Sequence, residues 1–353
     1  MEVVHTTDWH LGFLHGKHPS PVATLMREIS KPCKYARENG IQHVIVSGDV
    51  CHSYVMSPDV QRALYRLADK YADLEFWIIP GNHDYHSKNV TSLEALFETT
   101  RRYDNLHIIL QPRVEELSGV PFTFLPFPYS DPILKTPSVL VSHLTPAGAK
   151  YENGKVATRG TTAIDSEAGY WLNGHLHLAQ ETNYYNCCGT LYPVRFGMDD
   201  VDFGFTHLEF DYSEGELNVS VENRVSTKPK LKMQRVLVRD ASEFQALEHD
   251  ADTLYSLHVA AGVVVPQKQL RTYSNILEIV PEGGRKKKTE KGVVSVQKQI
   301  DDSALLENFF ATEQVPPDVR AVARQLDSAF RSLLQGKHQM RVYASSGVQA
   351  GDG

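Results

Sequence analysis

The sequence lacks the features that would point to a membrane-spanning or secreted protein. None of its apolar runs approaches the roughly 18 residues needed to cross a bilayer. Its four cysteines show no CxxC spacing, and its first residues carry no basic and apolar signal pattern. We therefore expect no membrane segment and no disulfide framework, and we predict a cytoplasmic protein in a reducing compartment.

The sequence also has no excess of positive charge. The net charge of the 353 residues is −7, but it is unevenly divided. Residues 1–223 contain 17 basic and 28 acidic residues, whereas residues 224–353 contain 19 basic and 15 acidic ones. An acidic body fits a site that collects cations, and a basic segment fits contact with a polyanion, although chance segregation would give the same counts.

Short apolar strands alternate with helical patterns over roughly the first 110 residues. Strands are predicted at EVVHTT, HVIVSG and EFWIIP, and helices over residues 22–38, 58–72 and 91–102. This alternation indicates an α/β layer with mostly parallel strands. Later strand-like runs, from FTFLPF to ELNVSVE, have no long helices between them and favour a second, largely antiparallel sheet. The predicted fold class is α/β, with two stacked β-sheets flanked by helices in a four-layer sandwich.

A composition change near residue 226 predicts a domain boundary. Five segments follow from it: a main domain over 1–225, a small α/β capping domain over 233–282, a basic linker over 283–301, C-terminal helices over 302–336 and a disordered tail over 337–353. The linker contains RKKK, which either contacts phosphates or is merely solvated. The amphipathic C-terminal helices either dock on the chain itself or bind a partner.

Polar clusters follow five of the predicted strands. They read TDWHLG (7–12), SGDVCH (47–52), PGNHD (80–84), VSHLT (141–145) and NGHLH (173–177). Ligands bind at the strand ends of α/β sheets, and histidine together with carboxylate suits a divalent transition metal. One such cluster would be an ordinary turn or a structural histidine. Five in this order predict a metal centre.

The spacing within these clusters adds a geometric expectation. Asp8 and His10 are two residues apart, as are His175 and His177. In extended backbone such residues share a face, so each pair would face one cavity while the residue between them packs inward. Glycines in three clusters permit tight turns and close backbone approach: Gly48, Gly81 and Gly174.

These motifs resemble those of the calcineurin-like metallophosphoesterases. The family pattern of D-x-H, G-D, G-N-H-[DE], a lone H and G-H-x-H occurs in order between residues 8 and 177. The wider neighbourhoods, such as HTTDWHLG, SHLTPAGA and GHLHLAQ, resemble the SbcD and Mre-eleven type nuclease subunits within that superfamily.

The resemblance implies two divalent cations and a ligand set for them. The resemblance implies Mn²⁺, with Mg²⁺ as the alternative. The ligand types alone do not select a metal. One cation would be held by Asp8, His10 and His177, the other by Asn82, His143 and His175, and Asp49 would bridge both.

The resemblance also implies catalytic roles at GNHD. His83 would stabilise the attacked phosphate and supply a proton to the departing 3′ oxygen, and Asp84 would accept a hydrogen bond from His83. His52 either touches the DNA strand near the scissile phosphate or is a loop histidine at the rim.

By the same resemblance, the protein would be a two-metal DNA nuclease with double-strand exonuclease and single-strand endonuclease activity. It would be the SbcD-like subunit of an SbcCD-type complex that processes DNA ends and hairpins in repair, recombination or replication. It would bind an SbcC-like coiled-coil ATPase through 302–336 and form a homodimer. Two alternatives stay open: a phosphodiesterase acting on cyclic nucleotides or other small diesters, since those enzymes share GNHD, and a catalytically silent scaffold at DNA ends.

Overall fold

The structure of the protein is a computed structural model that describes residues 1–281, apart from 88–89, 100–102, 130–136, 159, 161–168, 183–184, 264–272 and 274. The predicted linker, C-terminal helices and tail therefore lie outside the described residues. Among the described helices, none is long and apolar enough to span a membrane. All four cysteines are buried and free.

The helices and strands of the described chain fall largely where the sequence patterns predict them. The helices are α1 (Pro21–Glu38), α2 (Pro58–Lys70), α3 (Glu94–Thr99) and α4 (Ala241–Gln245). The strands are β1 (Glu2–Thr6), β2 (His43–Ser47), β3 (Glu75–Ile79), β4 (Tyr85–Ser87), β5 (Val90–Thr91), β6 (Leu106–Ile108), β7 (Arg113–Leu117), β8 (Val120–Leu125), β9 (Val139–Ser142), β10 (Tyr170–Asn173), β11 (Gln180–Glu181), β12 (Tyr185–Cys187), β13 (Gly204–Ser213), β14 (Glu216–Ser226), β15 (Lys232–Val238), β16 (Thr253–Val259) and β17 (Ile276–Pro281).

The first sheet has six strands in the order β14-β13-β1-β2-β3-β6. Its neighbours β1, β2, β3 and β6 pair in parallel, as the alternating pattern predicts, while β13 and β14 add an antiparallel edge. α1 packs on this sheet through residues three or four apart, such as Leu25, Ile29 and Cys33.

The second sheet has the order β11-β12-β10-β9-β8-β7. Its central neighbours β8, β9, β10 and β12 pair in parallel, and only the two edge pairs are antiparallel. The prediction of a largely antiparallel second sheet is therefore wrong, as is the assignment of β13 and β14 to it. β9 and β10 are buried along their whole length, which is typical of parallel strands covered on both faces.

An apolar core lies between the two sheets. It joins first-sheet side chains such as Val3 and Ile45 to second-sheet side chains such as Phe122, Val141 and Leu172. This packing confirms the predicted class of two stacked sheets in an α/β fold. Because β1, β2, β3, β9 and β10 all end on one side of this core, the loops that follow them meet there.

A separate three-stranded parallel sheet, β15-β16-β17, follows the main sandwich. Residues Met1–Arg285 form one compact unit. Within it, Arg27 of α1 pairs with Asp252 at 3.0 Å, and Glu28 accepts a hydrogen bond from the Lys230 amide at 3.2 Å. The boundary between main and capping domains stays a prediction.

Candidate metal centre

All seven candidate ligands lie in loops that follow strands, on one side of the sandwich. Asp8, Asp49 and Asn82 lie beyond the ends of first-sheet strands, and His143 and His175 lie beyond the ends of second-sheet strands. Asp8, His10, Asp49 and His143 are each at most 2% exposed. The fold therefore buries carboxylates and imidazoles together.

Three side-chain atoms form a triangle on one side of this cluster. His10 Nε2 and His177 Nε2 are 3.3 Å apart, and each lies 3.7 Å from Asp8 Oδ1. Two atoms that each lie about 2.1 Å from a tetrahedral cation are about 3.4 Å apart. Asp8 Oδ1 is also buried without a hydrogen-bond partner, which is costly unless a cation or proton meets it. These residues fit a divalent cation.

A second group of atoms lies beside the triangle. Asn82 Oδ1 is 3.2 Å from His143 Nε2 and 2.9 Å from His175 Nδ1, and Asp49 Oδ2 is 3.3 Å from His143 Nε2. The same Asp49 oxygen is 3.8 Å from His10 Nε2 in the triangle. Asp49 therefore lies between two groups of donor atoms, and the whole set is compatible with two cations that share this carboxylate.

The backbone at these loops is not extended. Asp8, His10, Asp49 and His175 have φ of 52°, 41°, 49° and 74°, and they are four of the six non-glycine residues with positive φ in the described chain. The expectation that extended backbone pairs the side chains is wrong in its reason, although Asp8 and His10 do meet at 3.7 Å and Trp9 between them is buried. Left-handed backbone at non-glycine residues stores strain, which clusters at functional sites.

Three glycines make room for the cluster, as predicted. A Cβ added at Gly48 would lie 2.3 Å from His143 Nδ1, and one at Gly81 would lie 2.2 Å from Asp49 Oδ1. One at Gly174 would lie 2.1 Å from the carbonyl oxygen of Ser47. Any side chain at these positions would displace a candidate ligand or the strand behind it.

A hydrogen bond to the backbone orients His143. Its Nδ1 donates to the Ser47 carbonyl at 2.8 Å, which leaves Nε2 as the nitrogen available to a cation. Burial lowers the pKa of His143, but the carboxylates of Asp49 and Asp8 and the Ser47 carbonyl outweigh it and raise the pKa to about 9. Burial, followed by the charge of His143, lowers the pKa of His175 to about 4.

Asn173, which the motif analysis did not single out, ties two ligand loops together. Its side chain accepts hydrogen bonds from Ser142 Oγ at 2.9 Å and the Leu144 amide at 3.0 Å. It donates to the carbonyls of Leu144 and Gly174 at 2.8 and 2.6 Å. The fully buried amide thus fixes the positions of the loops that carry His143 and His175. Its place directly before the G-H-x-H motif was the available signal.

The prediction that Asp84 accepts a hydrogen bond from His83 is wrong. Asp84 is buried and accepts from the amides of Gly81, Val50 and Cys51 at 2.9, 3.1 and 2.7 Å. Because these three N–H groups surround the carboxylate, it joins the GD and GNHD loops instead. Burial and the nearby Asp49 charge raise its pKa to about 7, against the effect of the three N–H groups.

His83 lies exposed above the cluster. Its Nδ1 donates to the carbonyl of His52 at 3.1 Å, and its ring lies 4.9 Å from that of His10. The His52 ring stacks on His83 at 5.6 Å and meets Phe13 edge-on at 5.3 Å. Burial, followed by the charges of His83 and Lys17, lowers the pKa of His52 to about 4. His52 is thus half-buried beside the centre, and its contact with substrate stays a prediction.

The family model for calcineurin-like phosphoesterases matches residues 1–179, half of the chain. The chain belongs to this family. Calcineurin-like phosphoesterases are metal-dependent hydrolases, and the two groups of donor atoms lie within the matched region.

Two curated relatives of this calcineurin-like phosphoesterase are nuclease subunits by name. Exonuclease subunit 1 of Enterobacteria phage T4 is 22% identical over 228 residues, covering 58% of this chain and 63% of the phage protein. The chain thus spans less than two thirds of that relative. A nuclease SbcCD subunit of Staphylococcus epidermidis is 23% identical over 385 residues, covering 88% of this chain and 92% of the relative.

Solved structures similar to this chain include a dimetal phosphatase from Danio rerio and the nuclease MPE of Pseudomonas putida. The first has a TM-score of 0.41 at 11% identity and covers 64% of this chain and 97% of its own. The second has a TM-score of 0.27 at 16% identity and covers 50% and 62%.

Proposed function

We propose that this calcineurin-like phosphoesterase is a two-metal DNA nuclease of the SbcD type, with double-strand exonuclease and single-strand endonuclease activity. The observation that carries the proposal is the position of Asp49. One carboxylate oxygen lies 3.8 Å from His10 and 3.3 Å from His143, so it adjoins both groups of donor atoms. We assign the seven candidate ligands to two divalent cations, with Mn²⁺ as the working ion.

Two divalent cations, when bound, polarise a phosphate oxygen and lower the pKa of water. The chain's own residues supply the rest. His83 already uses Nδ1 to donate to the His52 carbonyl, so Nε2 is the nitrogen left to meet the substrate. In its protonated form that nitrogen donates a proton to the departing 3′ oxygen. Asp84 does not contact His83, and its role is to fix the loop on which His83 stands.

The names of the two curated relatives support a nucleic acid as the substrate, because one is an exonuclease subunit and the other a subunit of the SbcCD nuclease. We propose DNA because of the resemblance of the motifs to the SbcD type. The open position of His83 is compatible with a long substrate that lies across the site. His52, stacked on His83, would contact the strand beside the scissile phosphate.

We also propose two protein contacts. Residues 302–336 would bind a coiled-coil ATPase of the SbcC type, in keeping with the name of the staphylococcal relative. A second copy would pack against α2 and α3, near which Val55 and Phe97 are 64% and 45% exposed. Removal of residues 302–353 should leave diester hydrolysis unchanged and abolish ATPase binding. If the shortened chain still binds the ATPase, the assignment of this segment is wrong.

A digestion panel tests the nuclease proposal. Linear duplex DNA, closed circular single-stranded DNA and cyclic nucleotides are each incubated with Mn²⁺, with Mg²⁺ and with chelator. Both DNA substrates should be degraded with Mn²⁺ and spared with chelator, and Asp49→Asn should be inactive. Hydrolysis of cyclic nucleotides alone would favour the small-diester phosphodiesterase. A protein that binds two ions but cleaves nothing would favour the silent scaffold.

A further inference from the structure

We infer that Glu152 is a positioning residue for the metal centre: it holds the ring of His177 so that Nε2 faces Asp8 and His10. The inference rests on the proposed two-cation centre but not on DNA as the substrate. Neither the family motifs nor the sequence pattern points to Glu152, which lies in the turn-like stretch YENGKV (151–156).

The contact between Glu152 and His177 is short and largely shielded from solvent. Glu152 Oε1 lies 2.5 Å from His177 Nδ1, and its side chain is only 7% exposed. His177 Nδ1 makes no aligned hydrogen bond, so its interaction with the carboxylate is a close electrostatic contact. A proton on the nitrogen that faces Glu152 leaves Nε2 with its lone pair for a cation. The same Nε2 is the atom that lies 3.3 Å from His10 Nε2.

Arg195 holds the second oxygen of the carboxylate. Its guanidinium donates to Glu152 Oε2 at 2.7 Å. The two carboxylate oxygens of Glu152 thus connect the histidine to the arginine.

The loop that carries Glu152 is itself anchored. Gln180 of β11 accepts a hydrogen bond from the Lys150 amide and donates to the Lys150 carbonyl, both at 2.7 Å. Within the loop, the Tyr151 amide donates to the Lys155 carbonyl at 2.8 Å. A side chain on a braced hairpin can restrict the histidine ring, whereas one on an unanchored loop could not.

The two groups of donor atoms differ in how their histidines are oriented. His143 is held by the main-chain carbonyl of Ser47, which no substitution at Ser47 removes. His177 is held by a side chain from a separate loop. A change at Glu152 should therefore lower the affinity for one cation and leave the affinity for the other unchanged. The second group of donor atoms thus serves as an internal reference.

The test is a Mn²⁺ titration of the full chain by calorimetry, with Glu152→Gln, Arg195→Gln and the control Lys155→Gln. Lys155 lies exposed on the same loop. We expect Glu152→Gln to lower the affinity for one of two ions about 10- to 100-fold and to leave the other unchanged. Arg195→Gln should lower the same affinity by a smaller factor, and Lys155→Gln should change neither. Nitrogen-15 spectra of the histidines should show a changed tautomer at His177 in Glu152→Gln only.

Each outcome decides the inference. Wild-type affinity for both ions in Glu152→Gln, or equal loss of both with an unchanged His177 tautomer, overturns it. If Glu152→Gln does not fold, Arg195→Gln decides, because its side chain is 46% exposed and its replacement should not disturb the core. Wild-type affinity in that variant then overturns the inference. If the wild-type chain does not bind two ions, the proposed centre fails instead.

Discussion

Gly174→Ala should damage the protein's stability and its metal centre together. The added Cβ would lie 2.1 Å from the Ser47 carbonyl oxygen, 2.4 Å from Thr7 Oγ1 and 2.6 Å from His143 Nδ1. The Ser47 oxygen belongs to a buried strand and cannot move aside, so the loop of Gly174 and the His143 ring must both shift, and His143 loses its hydrogen bond to Ser47. Overpacking typically costs about 1–3 kcal/mol, and the lost hydrogen bond about 0.5–1.5 kcal/mol more. We expect the free energy of unfolding to fall by about 2–4 kcal/mol.

Thermal unfolding and Mn²⁺ titration measure this effect. About 2–4 °C per kcal/mol is usual for a domain of this size, so Tm should fall by about 4–16 °C. Gly40→Ala is the matched control, because Gly40 has φ of +72° and open space around its Cβ position. Backbone strain there should cost about 1–2 kcal/mol and leave two ions bound, whereas Gly174→Ala should bind one. A Gly174→Ala protein with wild-type Tm and two ions would refute the packing argument.

Three further predictions concern the site. His83→Ala should retain both ions but cleave DNA at least about 100-fold more slowly. Its rate on bis-nitrophenyl phosphate should fall much less, because that leaving group needs no proton. Equal losses of rate on both substrates would contradict the role of proton donor. Because the pKa of metal-free His143 is raised to about 9, its ring is protonated below that pH and a cation must displace the proton. The Mn²⁺ affinity measured by calorimetry should therefore rise about tenfold per pH unit from pH 7 to 9, and a flat profile would show that no such proton is displaced. Asn173→Ala should lower the free energy of unfolding by about 2–4 kcal/mol, since it leaves buried partners such as the Leu144 amide unsatisfied. A urea midpoint equal to that of the wild type would argue against the stabilising role of the Asn173 hydrogen bonds.

The convergence of the polar clusters was predictable because the ends of the strands can be located from the sequence pattern alone. Parallel strands place their carboxyl ends at one edge, so Asp8, Asp49 and Asn82 had to be neighbours once β1, β2 and β3 were recognised. The role of the glycines followed in the same way, because a residue without Cβ beside a polar cluster permits close approach.

The direction of the second sheet was not predictable by the same reasoning. Strand direction was inferred from the helices expected between strands, and the links around β9 show no such helical pattern in the sequence. The apolar runs of β9 and β10, without alternation, were the better indicator, because a strand covered on both faces needs apolar residues throughout.

Side-chain partners across the fold were the least predictable feature. The pairing of His83 with Asp84 was implied by the family resemblance, yet consecutive side chains generally point apart and Asp84 faces three backbone amides. Glu152 had the opposite problem, because its partner His177 lies on another loop and no local pattern joins them. Such contacts depend on loop geometry that the spacing of residues does not encode.

The centre draws its donor atoms from both layers of the sandwich, and His10 and His177 lie 167 positions apart in the chain. During synthesis the chain therefore presents β1, β2 and β3, with Asp8 and Asp49, well before the histidines of the second sheet exist, and the first sheet gains its edge strands β13 and β14 last. The proposed cations can meet their full ligand set only after His177 has been synthesised, and they would then join loops of both sheets.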